Sequence, residues 1–191
     1  MRLAILDHGH GIRAKAMFVL IRVFSGHPVV DAVKLAFYRP SFYRAGGLTQ
    51  EAMRGPSDWS VAERELMAAY VSKMNETEFC IVAHTATSAL AYKDAAKVSA
   101  TLTDLETAPV GEPLRATLRM LGKLTRENNL TADDIRTVLA AGVSEQQIKD
   151  ALAVSFAFNV TDRLADVFDF AVDDPAAINA GAKYLLERGY R

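Results

Sequence analysis

The stretch Asn75-Glu76-Thr77-Glu78-Phe79-Cys80-Ile81-Val82-Ala83-His84 decides how this chain is read. It holds the only cysteine, with a histidine four residues later and apolar helical sequence on both sides. At i and i+4, Cys80 and His84 share one helix face, one turn apart. An imidazole beside a thiol can hold it as the thiolate. Thr77 is a suitable N-cap, which makes Cys80 the third helical residue. The partial positive charge of a helix start also favours an anion there. Both effects predict a lowered thiol pKa.

Working outward, Ser60-Val61-Ala62-Glu63 fits a capping box. The helix it opens carries Leu66, Met67, Tyr70, Val71 and Met74 on one stripe and stops at Asn75-Glu76. Glu65 stands on this helix, fifteen residues before Cys80. Two antiparallel helices joined by a short turn can bring it back to His84. A carboxylate that orients a histidine serving a thiol is a recognisable relay. Taken singly, each residue has a plainer reading. Cys80 is then a small buried hydrophobe and Glu65 a solvated helix residue.

The helix from Thr77 is expected to run to about Ser99, packing through Phe79, Ala83, Ala86 and Leu90. Upstream, helical spacing covers Ile12 to Phe24 and Val29 to Tyr38, and a short helix fits Thr49 to Met53. Arg54-Gly55-Pro56 breaks the chain. Trp59, Tyr38, Phe42 and Tyr43 read as core or interface anchors. Downstream, a leucine stripe marks a helix through Leu114 to Leu124, and Thr131 opens another that Gly142 ends. Ser144 to Gln147 is a second capping box, opening a long helix to about Val172. Asp174-Pro175 starts the last one. No segment alternates as a strand does. The fold class is all-α, a helical bundle of about eight helices. Residues 1–56 form a helical arm packed on the core, and 57–191 form the main helical domain, together one structural unit.

Composition limits the function. Half of the 191 residues are hydrophobic and about a quarter are charged, as in ordinary globular proteins. A net charge of -1 leaves no electrostatic footprint for nucleic acid or an anionic membrane. One cysteine cannot form an internal disulfide, so a reducing cytoplasm is the expected location. No run of about 18 apolar residues predicts a spanning helix. Asp7-His8-Gly9-His10 interrupts the apolar Leu3 to Leu6 too early for a signal peptide. Cys80 and His84 are two ligands where a structural zinc site uses four, and nothing in the sequence brings His8 and His10 to them. No metal is expected. Gly9-x-Gly11 is not a nucleotide fingerprint, so no cofactor is expected either.

The segments Glu63-Arg64-Glu65-Leu66, Val71-Ser72-Lys73-Met74-Asn75 and Cys80-Ile81-Val82-Ala83-His84 together resemble the alkylhydroperoxidase D / carboxymuconolactone decarboxylase-like family. Its usual pattern is a glutamate, an asparagine, a Cys-x-x-Cys pair and a histidine four residues after the second cysteine. Leu139-Ala140-Ala141-Gly142-Val143-Ser144 and Phe158-Asn159-Val160-Thr161-Asp162-Arg163-Leu164-Ala165-Asp166 are similar to its downstream segments. The likeness covers roughly Ser57 to Phe170 and, more loosely, the arm before it.

The resemblance implies a peroxidase-related antioxidant oxidoreductase with peroxiredoxin-type activity. Cys80 matches the cysteine that meets peroxide, and His84 and Glu65 match the proton relay behind it. Thr77 stands where the resolving cysteine belongs, Phe79 where a His or Tyr is usual, and Asp162 where Asn is usual. One-cysteine chemistry is therefore expected, on a small hydroperoxide, with an external thiol as reductant and a homo-oligomer as the working form. The family's other branch implies a lyase in which His84 moves a proton on a carboxylated ring substrate. A non-catalytic oligomeric binding module is the third reading. Asp162, Arg163 and Asp166 share one helix segment, in which Arg163 is expected to anchor the fold or a subunit contact.

Overall fold

The computed structural model describes residues 5–40 and 46–190. Among them are eleven α-helices and no strand. The arm carries α1 (Ile5–His8), α2 (Ile12–Ser25), α3 (Asp31–Tyr38) and α4 (Gly46–Arg54). The body carries α5 (Val61–Met74), α6 (Glu78–Tyr92), α7 (Ala95–Thr103), α8 (Glu112–Glu127), α9 (Ala132–Ala140), α10 (Glu145–Val167) and α11 (Pro175–Arg188). Phe42 and Tyr43 lie outside the described residues.

Helix α5 is the axis of the body. Its capping box is formed, Ser60 accepting from the Glu63 amide and Glu63 from the Ser60 amide. From Arg64 to Ser72 every residue is buried, because α6, α8 and α10 pack around it. Leu66, Met67 and Val71 are fully enclosed in the main core with Leu118, Leu121, Val154 and Phe158. Each contributes about 1.5–3 kcal/mol by leaving water. Gly122 lets α8 come close, since a Cβ there would meet the Tyr70 ring at 2.9 Å. Trp59 is buried and its indole donates to the Gln147 carbonyl at 2.8 Å.

The turn from α5 to α6 positions the site. Glu76 takes the left-handed conformation, φ 60°. The Thr77 amide bonds to the Ser72 carbonyl and the Glu76 amide to that of Lys73. This is the Schellman pattern of a helix end. It reverses the chain in three residues, Asn75 to Thr77, and lays α6 antiparallel on α5.

Two helix expectations change. The helix from Thr77 stops at Tyr92, where Lys93 turns left-handed at φ 55°. Asp94 then caps a separate α7 through the Lys97 amide at 2.9 Å. The buried face of α6 is also Cys80, His84, Thr87 and Ser88, with Leu90 exposed. Small and polar residues let α6 approach α5 closely, and the Ser88 hydroxyl donates to the Ala62 carbonyl at 3.0 Å. Helix α10 ends at Val167 instead of near Val172. Phe168 and Phe170 then fold back into a second cluster with Leu6, Leu35, Cys80 and Ala165. The arm thus meets the body beside the cysteine, while Ala52 and Met53 of α4 enter the main core.

Candidate functional site

Helices α5 and α6 bring Glu65 to His84. The Glu65 carboxylate is fully enclosed, and its Oε2 lies 2.7 Å from Nδ1 of His84. Arg54, at the end of α4, donates from Nη2 to Glu65 Oε1 at 2.6 Å and to the Leu185 carbonyl at 3.0 Å. The Tyr190 hydroxyl donates to Glu65 at 3.0 and 3.2 Å and lies 3.3 Å from Nδ1 of His84. The Phe158 ring meets the imidazole edge-to-face at 4.5 Å. Burial alone would push the Glu65 carboxyl up. The hydrogen bond and charge of His84, followed by those of Arg54, outweigh it and hold the carboxyl below its ordinary value.

Cys80 is buried on the same face of α6. Its thiol lies in the field of the Asp162 and Asp166 carboxylates of α10. Asp162 is itself fully enclosed, accepting from the Ser72 hydroxyl at 2.8 Å and from the Asn75 amide at 2.8 Å. The lowered thiol pKa expected from the sequence is reversed. Burial, then the charge of Asp162, then the charge of Asp166, push the Cys80 thiol well up. The helix start does not compensate for burial and for an anion four helices on in sequence. Asp162 is raised in turn, first by burial, against the bonds from Asn75 and Ser72. The Thr77 hydroxyl does not cap α6, donating instead to Asp166 Oδ2 at 2.8 Å.

No family model matches the chain, and no curated protein matches it. Solved structures do. An uncharacterized peroxidase-related protein from Silicibacter sp. TM1040 superposes with a TM-score of 0.74 at 23% identity over 88% of both chains. An alkylhydroperoxidase AhpD core, an uncharacterized peroxidase-related protein from Ralstonia eutropha JMP134, gives 0.74 at 18% identity, over 90% of this chain and 91% of that one. This chain has the alkylhydroperoxidase D fold. The debrominase Bmp8, solved with 2,3,4-tribromopyrrole, matches the same fold at a TM-score of 0.66 and 14% identity, covering 92% and 90%.

Within this alkylhydroperoxidase D-like bundle, three partners of the site escape a sequence reading. Arg54 sits in a Gly-Pro break, and Tyr190 follows Gly189 near the C-terminal end. Neither position carries a motif. Asp162 reads only as the residue standing where Asn is usual, and only the packing of α10 brings its charge to bear on Cys80. Among the described residues no three His, Cys, Asp or Glu side chains converge to hold a metal ion. No helix of the described residues is long and apolar enough to cross a membrane.

Proposed function

We propose that this protein is a thiol-dependent, peroxidase-like oxidoreductase of one-cysteine type. The observation that carries the reading is the buried Glu65–His84 pair at 2.7 Å, one helical turn from the only cysteine. The Cys80 sulfur attacks the distal oxygen of a hydroperoxide and the O–O bond breaks. Sulfur becomes a sulfenic acid and the leaving alkoxide takes a proton from His84, which Glu65 orients through Nδ1. The thiol proton and the alkoxide proton balance, so thiol plus hydroperoxide gives sulfenic acid plus alcohol. Thr77 cannot form a disulfide, so an external thiol condenses with the sulfenic acid, releasing water. A second thiol then frees Cys80 as the external disulfide forms.

The substrate class is a small hydroperoxide and the setting a reducing cytoplasm, where it has an antioxidant role. The working form is a homo-oligomer. Exposed apolar side chains of α2, with Ile12 88%, Val23 72% and Phe24 86% accessible, support a subunit contact there.

A second reading rests on one further observation. Glu65, Arg54, Tyr190 and His84 form a complete proton-transfer unit without sulfur, as a carboxymuconolactone decarboxylase-type lyase would need. Arg54 is committed to Glu65, so it does not supply the cation that a carboxylated ring substrate requires. The peroxidase reading therefore stands first. Hydroperoxide consumption with a small dithiol, compared between wild type and Cys80→Ser, tests it. Loss in the variant is expected, and equal rates overturn it. Activity on a carboxylated lactone that survives Cys80→Ser but not His84→Ala would install the lyase. Inactivity on both substrates would leave a binding module.

A further inference from the structure

Three donors converge on the enclosed Glu65 carboxylate. Arg54 reaches Oε1 at 2.6 Å from the end of α4, and Nδ1 of His84 on α6 stands 2.7 Å from Oε2. The third, Tyr190, comes from beyond α11. Its hydroxyl lies 3.0 Å from Oε1, 3.2 Å from Oε2 and 3.3 Å from Nδ1 of His84. A hydroxyl has one proton to give, and an ionised carboxylate can only accept. The Tyr190 proton therefore goes to Glu65, and its oxygen faces Nδ1 as a second acceptor. Nδ1 meets two acceptors and no donor, which fixes a proton on it. Nε2 of His84 makes no hydrogen bond to a described residue. Tyr190 is itself held. Its amide donates to the Gln50 side chain at 2.7 Å, and the Arg54 guanidinium lies over its ring, 5.2 Å from the centroid. The ring is nearly parallel to the imidazole, at 16° and 6.2 Å. Burial, then the charge of Glu65, push the phenol well up, so it stays a donor through neutral pH.

We propose that Tyr190 is a positioning residue of the His84 relay: its hydroxyl completes the bonds that lock Glu65 onto Nδ1, so that Nε2 is the nitrogen that hands a proton to the substrate. The assignment rests on His84 being the proton donor of the proposed reaction. In that reaction the Nε2–H bond breaks as the leaving oxygen takes its proton, and the electron pair stays on the ring. The Nδ1 proton remains with Glu65, and Tyr190 keeps its own proton throughout. Sharing the carboxylate has a second effect. Each donor draws on charge that the others would use, so Arg54 and Tyr190 weaken the hold of Glu65 on the Nδ1 proton. A weaker hold makes the imidazolium a readier acid at Nε2. Tyr190 thus acts through Glu65 and His84 and touches no reacting atom.

The test uses the full chain as wild type, Tyr190→Phe and Tyr190→3-fluorotyrosine. Fluorine makes the phenol a stronger donor with little change of shape, and this variant keeps the test open if Tyr190→Phe does not fold. The proton on Nδ1 of His84 is read by NMR as a downfield line, assigned by its absence in His84→Gln. Tyr190→Phe should move the line further downfield, because Glu65 accepts more strongly with one donor gone. Tyr190→3-fluorotyrosine should move it the opposite way. A ring that only fills space gives no such reversal. Shifts of one sign in both variants, or an unmoved line, overturn the assignment. In the neutral imidazole the nitrogen-15 shifts of the wild type should place the proton on Nδ1, and a proton on Nε2 overturns it as well. The same proteins are then mixed with tert-butyl hydroperoxide, and loss of the Cys80 thiol is followed over a single turnover. Tyr190→Phe should be slower by about tenfold, and an unchanged rate overturns the positioning role. If the lines move as expected while hydroperoxide leaves wild-type Cys80 intact, the hydroperoxide reading fails and the place of Tyr190 in the Glu65–His84 relay stands.

Discussion

The hydroxyl of Thr77 donates to Oδ2 of Asp166 at 2.8 Å. The residue that stands three before Cys80 is thus tied to α10 and not to the open amides of its own helix. Thr77→Cys restores a Cys-x-x-Cys spacing at the cost of that bond, about 0.5–1.5 kcal/mol. Peroxide should convert wild-type Cys80 to a sulfenic acid that dimedone traps. In Thr77→Cys it should leave no trappable sulfenic acid and no free thiol, read by intact mass. A wild type that yields no dimedone adduct would count against the one-cysteine cycle.

Glu65 is enclosed between a guanidinium and an imidazole, so its loss leaves Arg54 without its carboxylate. Removing one partner of a buried ion pair costs about 3–5 kcal/mol. Glu65→Gln should lower the unfolding free energy by about 3 kcal/mol in urea, together with most of the activity. A loss below about 1 kcal/mol would mean that the pair is not closed in solution.

The same residue sets the acid side of the stability profile. The folded Glu65 carboxyl lies below its unfolded value, so its contribution is complete above about pH 4.3. It is lost as pH falls through the lower folded value. Asp162 has the opposite sign, because its folded value is raised, and its burial penalty is relieved as pH falls. Glu65→Gln should therefore flatten the loss of stability below about pH 4. Urea midpoints taken between neutral pH and the acid limit decide this, and an unchanged acid slope would refute it.

Tyr190 reaches the site because Gly189 turns at φ 69°, with a Cβ there only 2.4 Å from the Gln50 side chain. That side chain accepts the Tyr190 amide at 2.7 Å. Tyr190→Phe removes only the hydroxyl and should cost about 1 kcal/mol. Gly189→Ala adds strain and a clash, displaces the ring and should cost more. If chemical denaturation ranks the two the other way, the ring is not held by this turn.

Helix α2 has no buried residue, although Ile12, Val19, Val23 and Phe24 are all more than half exposed. Val23→Asp with Phe24→Ser should reduce the sedimenting mass and leave the circular dichroism of the body unchanged. A concentration-independent monomer mass in the wild type would remove the subunit contact.

The local pattern determined a good part of this protein. The capping boxes at Ser60 and Ser144, Pro175 after Asp174 and the Asn75-Glu76 stop are short-range signals, and the helices start and end on them. The placing of Glu65 against His84 was also legible, since two antiparallel helices and a three-residue turn leave little freedom. The break at Lys93 was not, because a lysine in the left-handed region carries no sequence mark and Asp94 reads equally as helix or cap. Arg54 and Tyr190 join Glu65 from 11 and 125 residues away, and contacts of that kind depend on how α4 and α11 pack. The cysteine marks the limit most clearly. Sequence alone gave Cys80 a helix start and a nearby histidine, both favouring a thiolate. Tertiary packing buried the thiol and brought the charge of Asp162, 82 residues on, to bear on it, and burial together with that charge outweighs a helix dipole.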